Sequence, residues 1–259
     1  MSNIAVQQGG GAMRAQVVRS VRLSPGFQRV TVTGDDLARL QWRGFDQWVR
    51  LFLPPAPGAL LTHVPDRMTR LTYGRMLAIP AAERPVVRSY TLRAWRPESR
   101  ELDVDFVLHG TDGVAGPWAA RCDQGDPVAL LDQGCGWPSP PVRRVVLAAD
   151  ETGLPAVAGI LRDLPATTTG VAVVEVADAA DRQALDAPAG VDVHWLVRRP
   201  DEAPGEATLR ALADLPLPEF DRHAFAVGES TLATGVRRRL VRECGWSKSE
   251  VTFCGYWRS

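Results

Sequence analysis

Two side chains on one short apolar strand have the chemistry to hold a phosphate and a flat ring system. The run Arg88-Ser-Tyr-Thr91 lies among apolar, β-branched and aromatic residues, which favour a β-strand. Because successive side chains alternate across a strand, Arg88 and Tyr90 share one face, and Ser89 and Thr91 share the other. A guanidinium binds phosphate bidentately and an aromatic ring stacks on a π-system. The strand therefore predicts contact with a ligand that carries both groups.

A glycine-rich turn follows the next predicted strand and opens a predicted helix. Gly110, Gly113 and Gly116 allow the backbone to approach a ligand closely, and Pro117 suits the first turn of a helix. Free N–H groups at the start of a helix attract anions, so this turn predicts a pyrophosphate site. An ordinary strand–turn–helix connection is the alternative interpretation.

Both segments together resemble the siderophore-interacting protein family, which comprises flavin-dependent ferric-siderophore reductases of the ferredoxin-reductase type. The resemblance covers nearly the whole chain. It rests on four motifs in the family's order: Arg88-Ser-Tyr-Thr91, Asp105-Phe-Val-Leu-His-Gly110 with Gly116-Pro-Trp-Ala119, Asp150-Glu-Thr-Gly-Leu-Pro155, and Gly255-Tyr-Trp-Arg258. It implies a barrel that binds FAD, followed by an α/β domain for a nicotinamide nucleotide.

The resemblance and the positions of the motifs also predict which residues contact each ligand. The predicted FAD contacts are Arg88, Ser89, Tyr90, Thr91, Asp105, Val107, His109, Gly110, Gly116, Pro117, Trp118, Ala119 and Thr152. The predicted nicotinamide-nucleotide contacts are Asp150, Glu151, Gly228, Glu229, Tyr256 and Trp257. Candidate cations for an anionic ferric chelate are Arg50, Arg93, Lys248 and Arg258, chosen by their proximity to the motifs. No side chain is expected to form a covalent bond with the substrate.

The C-terminal half leaves the choice between NADH and NADPH open. Its first predicted strand is followed by residues 149–155, which lack the G-x-G-x-x-G pattern of an ordinary dinucleotide site. Glu175 and Asp178 would repel a 2′-phosphate, whereas Arg182, Arg198 and Arg199 could accept one. Solvated surface charges are the alternative interpretation of these residues.

The spacing of apolar runs predicts the architecture that must position these residues. Residues 1–12 are expected to be a flexible tail, and residues 13–139 contain six short β runs, which favour an antiparallel FAD-binding barrel. A long insertion at residues 54–85 interrupts the barrel and carries several arginines; such loops are usually functional or mobile. From residue 140 to 259, five predicted strands alternate with four predicted helices, one of them at residues 179–185. This pattern predicts a doubly wound parallel α/β domain for NAD(P)H.

Composition excludes several classes of function. The 259 residues include 30 basic and 30 acidic residues, so no net charge attracts nucleic acid. The four cysteines and four histidines show no metal-ligand spacing, so no protein-bound metal is expected. With no signal peptide and no membrane-spanning run, a cytoplasmic protein is expected.

The expected activity is the reduction of ferric siderophores to ferrous iron by electrons that pass from NAD(P)H through bound FAD. One alternative is a generic NAD(P)H:flavin reductase or a component fed with electrons by ferredoxin. Another is a siderophore-binding protein without enzymatic activity.

Overall fold

The computed structural model describes residues 2–4, 10–108, 113–138 and 142–259. The chain forms two compact units. As far as they are described, one unit contains residues 10–43 and 47–134, and the other contains residues 2–4, 44–46 and 135–259. The predicted division at residue 139 falls on residues 139–141, which lie outside the described part, so that boundary stays a prediction.

The first unit is a closed antiparallel barrel with the strand order β1-β2-β5-β4-β3-β6. Its inner face follows from period-two alternation: Val30 lies opposite Val104, Val32 lies opposite Leu102, and all four side chains are buried. The strands are β1 Met13–Ser24, β2 Phe27–Thr33, β3 Trp48–Leu53, β4 Val86–Arg96, β5 Glu101–Val107 and β6 Pro127–Gly134. The predicted six-stranded barrel is confirmed.

Two helices pack on the barrel strands. Helix α2, Ala115–Arg121, contributes Trp118 and Ala119 to the barrel core. Helix α1, Arg70–Leu77, lies in the insertion between β3 and β4 and begins with a capping box in which Thr69 and Thr72 bond each other's backbone N–H. The insertion buries a second apolar cluster, which includes Met76 of α1 and Phe52 of β3.

The second unit is a parallel sheet of five strands in the order β11-β10-β7-β8-β9. The strands are β7 Arg144–Ala149, β8 Thr169–Val176, β9 Gly190–Val197, β10 Arg222–Glu229 and β11 Val251–Trp257. The helices are α3 Leu154–Asp163, α4 Glu206–Asp214 and α5 Ser230–Arg238. The strand order reverses between β7 and β10, and such a switch point is where open α/β sheets bind ligands. The predicted doubly wound sheet is confirmed.

One local prediction is corrected. The helix predicted for residues 179–185 is a single 3₁₀ turn, Ala179–Asp181, that begins with a bond from the Ala180 N–H to the Asp178 side chain. Asp181 is the buried residue of this turn, so the segment lacks the apolar face that stabilises a longer helix.

Asn3 lies in the predicted flexible tail, which stays a prediction, and its side chain bonds β11. The Asn3 side chain donates to the Val251 carbonyl at 2.8 Å and accepts from the Phe253 N–H at 2.9 Å, which satisfies backbone groups along β11. The rest of the prediction for residues 1 and 5–9 lies outside the described residues.

Candidate functional site

Strand β4 carries the predicted phosphate and ring contacts on the face that also holds Leu92 in the barrel core. The Tyr90 ring packs on Phe106, with 4.3 Å between centroids and 43° between planes. Burial raises the pKa of Tyr90, so its hydroxyl stays neutral at physiological pH, although the nearby charge of Arg88 acts in the opposite direction. Tyr90 is therefore a fixed aromatic surface.

Arg88 is the exposed cation of this strand. Its Nη1 donates to the Val87 carbonyl at 2.9 Å, and none of the described residues supplies it with a carboxylate partner. A guanidinium in this state can bind an anionic ligand without breaking an ion pair.

On the opposite face of β4, Ser89 and Thr91 pair with residues of the neighbouring strand β3. Ser89 is exposed and pairs in register with Arg50, while Thr91 is buried and pairs with Trp48. The indole Nε1 of Trp48 is buried, and no hydrogen-bond acceptor reaches it from the described residues. Sequence reasoning missed Trp48, because only the cross-strand register places it opposite Thr91.

These residues fit FAD. An exposed guanidinium, an aromatic ring, two hydroxyls and an unpaired buried indole N–H match the phosphates, the flat ring and the polar ring edge of that cofactor. A buried donor without an acceptor costs free energy, so the Trp48 Nε1 is available to an acceptor atom of a ligand.

Asp105 and Arg93 pair with each other in the barrel wall. Asp105 is almost fully buried and accepts bonds from the Arg29 Nε at 2.6 Å and Nη2 at 2.8 Å. Arg93 Nε lies 3.4 Å from the same carboxylate, and its side chain is 16% exposed. The structure thus pairs a predicted FAD contact with a predicted chelate cation, and both charges are neutralised within the fold.

Helix α2 supplies backbone and packing to the region after β5. Trp118 and Ala119 are buried, with the Trp118 ring 5.7 Å from that of Phe106, so their side chains serve the core. A Cβ at Gly116 would lie 3.4 Å from the Val107 carbonyl oxygen, an ordinary contact distance, so the packing of α2 on the end of β5 does not itself require glycine there. Pro117 is half-buried in the first turn of α2. The predicted contacts His109 and Gly110 lie outside the described residues.

Asp150 brings four of the predicted residues of the α/β unit together at the switch point. Its Oδ1 accepts from the Thr152 N–H at 2.8 Å and hydroxyl at 2.5 Å, and from the Gly153 N–H at 3.3 Å. Its Oδ2 accepts from the Glu229 N–H at 2.6 Å and from the Trp257 Nε1 at 2.9 Å. Burial raises the pKa of Asp150, and the hydrogen bond from Thr152 opposes that rise. One carboxylate therefore joins the ends of β7, β10 and β11.

Gly228 makes this junction possible. Its φ is 126°, which side-chain-bearing residues rarely adopt, and an added Cβ would lie 2.5 Å from the Asp150 Cγ. The structure gives Gly228 a backbone role beside Asp150.

Arg198 is held by two carboxylates. It bonds Glu151 through Nη1 at 3.0 Å and Nη2 at 2.8 Å, and Glu175 through Nη1 at 3.0 Å. Arg199 is likewise paired with Glu202 at 3.0 Å. Two of the three cations considered for a 2′-phosphate are thus engaged within the fold, while Arg182 is exposed.

Carboxylates occupy the starts of α4 and α5, and a third carboxylate lies in the turn before α3. Asp150 accepts from the N–H groups that precede α3, and Glu175 accepts from the Gly205 and Thr208 N–H groups at α4. Glu229 accepts from the Thr231 and Leu232 N–H groups at α5. These are the donors that bind phosphate in ordinary dinucleotide folds. The carboxyl edge of this sheet therefore disfavours phosphate at the usual positions.

The remaining predicted residues lie at the surface of their units. Arg50 is half-buried on β3, where its Nε donates to the Gln133 side chain at 3.2 Å. Lys248 is exposed in a 3₁₀ turn before β11, Tyr256 is 40% exposed, and Arg258 is exposed after β11. Their assignment to chelate and nucleotide stays a prediction.

Neither a metal centre nor a membrane helix occurs in the described ranges. No group of three or more His, Cys, Asp or Glu side chains there is placed to hold a metal ion. No helix among those residues is long and apolar enough to cross a bilayer.

Comparison with known proteins identifies the family. Residues 16–136 match the siderophore-interacting FAD-binding domain, and residues 142–259 match the siderophore-interacting protein domain. The ferric vibriobactin reductase ViuB of Vibrio cholerae is 30% identical over 246 residues, which cover 93% of this chain and 87% of that protein. The NADPH-dependent ferric-chelate reductase of Escherichia coli is 30% identical over 247 residues, covering 94% and 91%.

A solved structure agrees with this assignment. A siderophore utilization protein from T. fusca superposes with a TM-score of 0.81 and 32% identity, covering 98% of this chain and 95% of that one. The chain belongs to the siderophore-interacting protein family, and its barrel is that family's FAD-binding domain.

Proposed function

We propose that this protein is an FAD-dependent oxidoreductase that reduces ferric siderophores, with NADH or NADPH as the electron donor. The observation that carries the proposal is β4, which presents unpaired Arg88 and the packed Tyr90 ring within a matching FAD-binding domain. The names of the V. cholerae and E. coli relatives support a ferric chelate as substrate.

The chemistry follows from the iron and from the donor. Hard oxygen ligands hold Fe³⁺ far more firmly than Fe²⁺, so one electron releases the metal from a siderophore. FAD, when bound, accepts two electrons from a nicotinamide and passes them on singly.

Residues of the chain bind and orient the cofactor and the ferric chelate. In the proposal, Arg88 neutralises phosphate, Tyr90 presents its ring to the flavin, and Ser89, Thr91 and Trp48 hydrogen-bond the cofactor. Arg50, Lys248 and Arg258 remain candidates for contact with the chelate, whereas the pairing of Arg93 with Asp105 argues against Arg93.

The donor is proposed to bind at the carboxyl edge of the α/β sheet. Protein donors already engage Asp150 and Glu151 at this edge, whereas Glu229 Oε1 is a buried acceptor with no hydrogen-bond partner among the described residues. An open carboxylate oxygen favours a hydrogen-bond donor such as a carboxamide or a ribose hydroxyl over a phosphate. The name of the E. coli relative supports a nicotinamide donor. The free cysteines agree with the reducing environment of the cytoplasm, where we place the reaction.

The test combines cofactor identification with an anaerobic assay. The purified protein should be yellow and release FAD on heating, and NADH or NADPH with a ferric siderophore should yield ferrous iron in a chromogenic trap. Arg88→Ala should weaken FAD binding by about 1.5–3 kcal/mol through loss of a charge-assisted contact, while exposed Arg242→Ala should match wild type.

Other outcomes would replace parts of the proposal. A colourless protein that cannot bind FAD would overturn it. If reduced ferredoxin reduces the bound flavin and neither NADH nor NADPH does, ferredoxin replaces the nicotinamide nucleotide as the proposed donor. Electron transfer to free flavin but never to a ferric chelate would favour a generic flavin reductase.

A further inference from the structure

Helix α1 and the residues just before it expose three arginines without ion-pair partners. Arg67, Arg70 and Arg75 are exposed, and no carboxylate in the described ranges pairs with them. The insertion at residues 54–85 contains four arginines and two acidic residues, a net charge of +2 with histidine neutral, whereas the whole chain has no net charge. The positive charge is therefore a local feature of the insertion.

Two of these arginines occupy positions that do not favour the helix. Arg70 is the first residue of α1, and the Thr72 hydroxyl donates to the Arg67 carbonyl at 2.7 Å, which holds Arg67 at the helix start. The first turn contains no acidic residue. The N-terminus of a helix carries partial positive charge, so cations there lower the stability of the helix. A placement that costs local stability points to a role in binding instead of folding.

Leucines share the exposed face of α1 with the arginines. Successive helical residues are about 100° apart, which places Arg70, Leu71, Arg75 and Leu77 on the side away from buried Met76. Leu71 is 64% exposed and Leu77 is 49% exposed. Neighbouring exposed apolar side chains mark binding surfaces. We call the following residues the α1 patch: Arg67, Arg70, Leu71, Arg75 and Leu77.

The buried side of α1 packs on the barrel face that does not carry the proposed flavin contacts. Met76 belongs to the apolar cluster that contains Phe52 of β3, and Val87 of β4 packs against this cluster. Because side chains alternate along β4, Val87 lies on the face opposite Arg88 and Tyr90. A partner on the α1 patch therefore leaves the flavin contacts clear, which favours a docking surface over a site for a protein that donates electrons to the flavin.

We propose that the α1 patch docks the protein on the surface of an anionic lipid bilayer. Helices that lie on a bilayer insert leucines at the boundary between headgroups and acyl chains, and their arginines are attracted to anionic lipids. The α1 patch supplies both kinds of side chain. A soluble anion would leave the leucines in water, and a neutral bilayer would offer no charge to the arginines. Membrane docking does not depend on the proposed reduction of ferric siderophores.

Co-sedimentation with vesicles tests membrane docking. The full-length protein, supplied with FAD, is mixed with vesicles of equal parts phosphatidylglycerol and phosphatidylcholine, or of phosphatidylcholine alone. The charge variant carries Arg67→Gln, Arg70→Gln and Arg75→Gln, and the apolar variant carries Leu71→Ser and Leu77→Ser. Two matched controls make the same kinds of change at exposed positions elsewhere: Arg22→Gln, Arg238→Gln and Arg242→Gln in one, and Val21→Ser and Leu23→Ser in the other.

The wild-type protein should sediment with the vesicles that contain phosphatidylglycerol and stay in solution with phosphatidylcholine alone. Added salt should release it, because exposed charges are screened. The charge variant should lower the membrane partition coefficient at least about tenfold, since each arginine near an anionic surface contributes about fivefold. The apolar variant should lower it about tenfold through loss of buried apolar area. Both controls should stay within about twofold of wild type, and the far-UV circular dichroism of all four variants should match that of wild type.

Three results would overturn membrane docking: no binding to phosphatidylglycerol vesicles, equal losses in the patch variants and their controls, or equal binding to both kinds of vesicle. An apolar variant that binds as wild type does, beside a charge variant that does not bind, would reduce the patch to a site for soluble anions and would overturn docking as well. Salt-sensitive binding of polyglutamate without vesicle binding would assign the patch to an acidic protein instead. If the protein binds vesicles through the patch while no ferric chelate is reduced, the proposed function fails and membrane docking stands.

Discussion

At the scale of single residues, the flavin site combines groups that the folded chain leaves unpaired. Arg88 has no carboxylate partner and Trp48 Nε1 has no acceptor among the described residues. Asp105 and Arg93 differ from these two groups, because the Asp105 carboxylate forms ion pairs with Arg29 and with Arg93. The unpaired groups are therefore the stronger candidates for ligand contact.

Trp48→Phe should separate ligand binding from folding. Removing a buried donor without an acceptor should leave the free energy of unfolding of the FAD-free protein unchanged or raise it by about 1 kcal/mol. The same change should weaken FAD binding about three- to tenfold through loss of one hydrogen bond. Denaturant unfolding of the apoprotein and flavin titration measure the two effects.

The matched control is Trp42→Phe, a half-buried tryptophan of the same unit that also packs on the core. If Trp48→Phe lowers apoprotein stability and leaves FAD affinity unchanged, the indole has no role toward the cofactor.

At the scale of elements, the alternation of apolar side chains predicts the strands but not the contacts between side chains of different strands. The six barrel strands and the five parallel strands follow from apolar periodicity, and the structure confirms them. The Asp105 contacts could not be predicted, because they depend on the register of β2 against β5. The junction at Asp150 also escaped prediction, since it joins three strand ends that only the folded sheet brings together.

Gly228→Ala tests the junction at the end of β10. The new Cβ would clash with the Asp150 carboxylate at a φ of 126°, so the variant should lose about 3 kcal/mol or more of unfolding free energy. Gly245→Ala is the control, because Gly245 also has positive φ, at 71°, but has open space around it. It should lose only about 1–2 kcal/mol.

Thermal or denaturant unfolding compares the two variants. Equal losses would mean that backbone conformation alone requires glycine at position 228 and that the contact with Asp150 adds nothing.

At the scale of the whole molecule, the net charge is zero, but individual acidic and basic side chains form close ion pairs. These pairs make the free energy of unfolding depend on pH. Asp103 in the barrel accepts from Arg96 at 2.7 and 2.8 Å and from Thr31 at 2.7 Å. Burial opposes ionisation, but these bonds outweigh it and lower the pKa of Asp103. Asp103 therefore contributes stability above its unfolded pKa of about 3.9 and loses that contribution as pH falls through the lower folded value.

Asp103→Asn should lower the unfolding free energy at pH 7 by about 1.5–3 kcal/mol, the range for hydrogen bonds to a charged group. The difference from wild type should begin to shrink below about pH 4, where Asp103 of the unfolded chain takes up a proton, and should disappear as the pH falls through the lower folded pKa of Asp103. Urea unfolding across that pH range measures it, with exposed Asp192→Asn as the control. A difference that stays constant with pH would assign the loss to packing instead of charge.

Because carboxylates of the chain occupy helix starts in the α/β unit, the folding of this unit does not depend on a bound phosphate. In many nucleotide-binding folds the phosphate itself completes a helix start, so ligand and fold stabilise each other by mass action. Here Glu175 and Glu229 supply that completion at α4 and α5 from within the chain. The α/β half can therefore reach its native form before any ligand arrives at these helix starts.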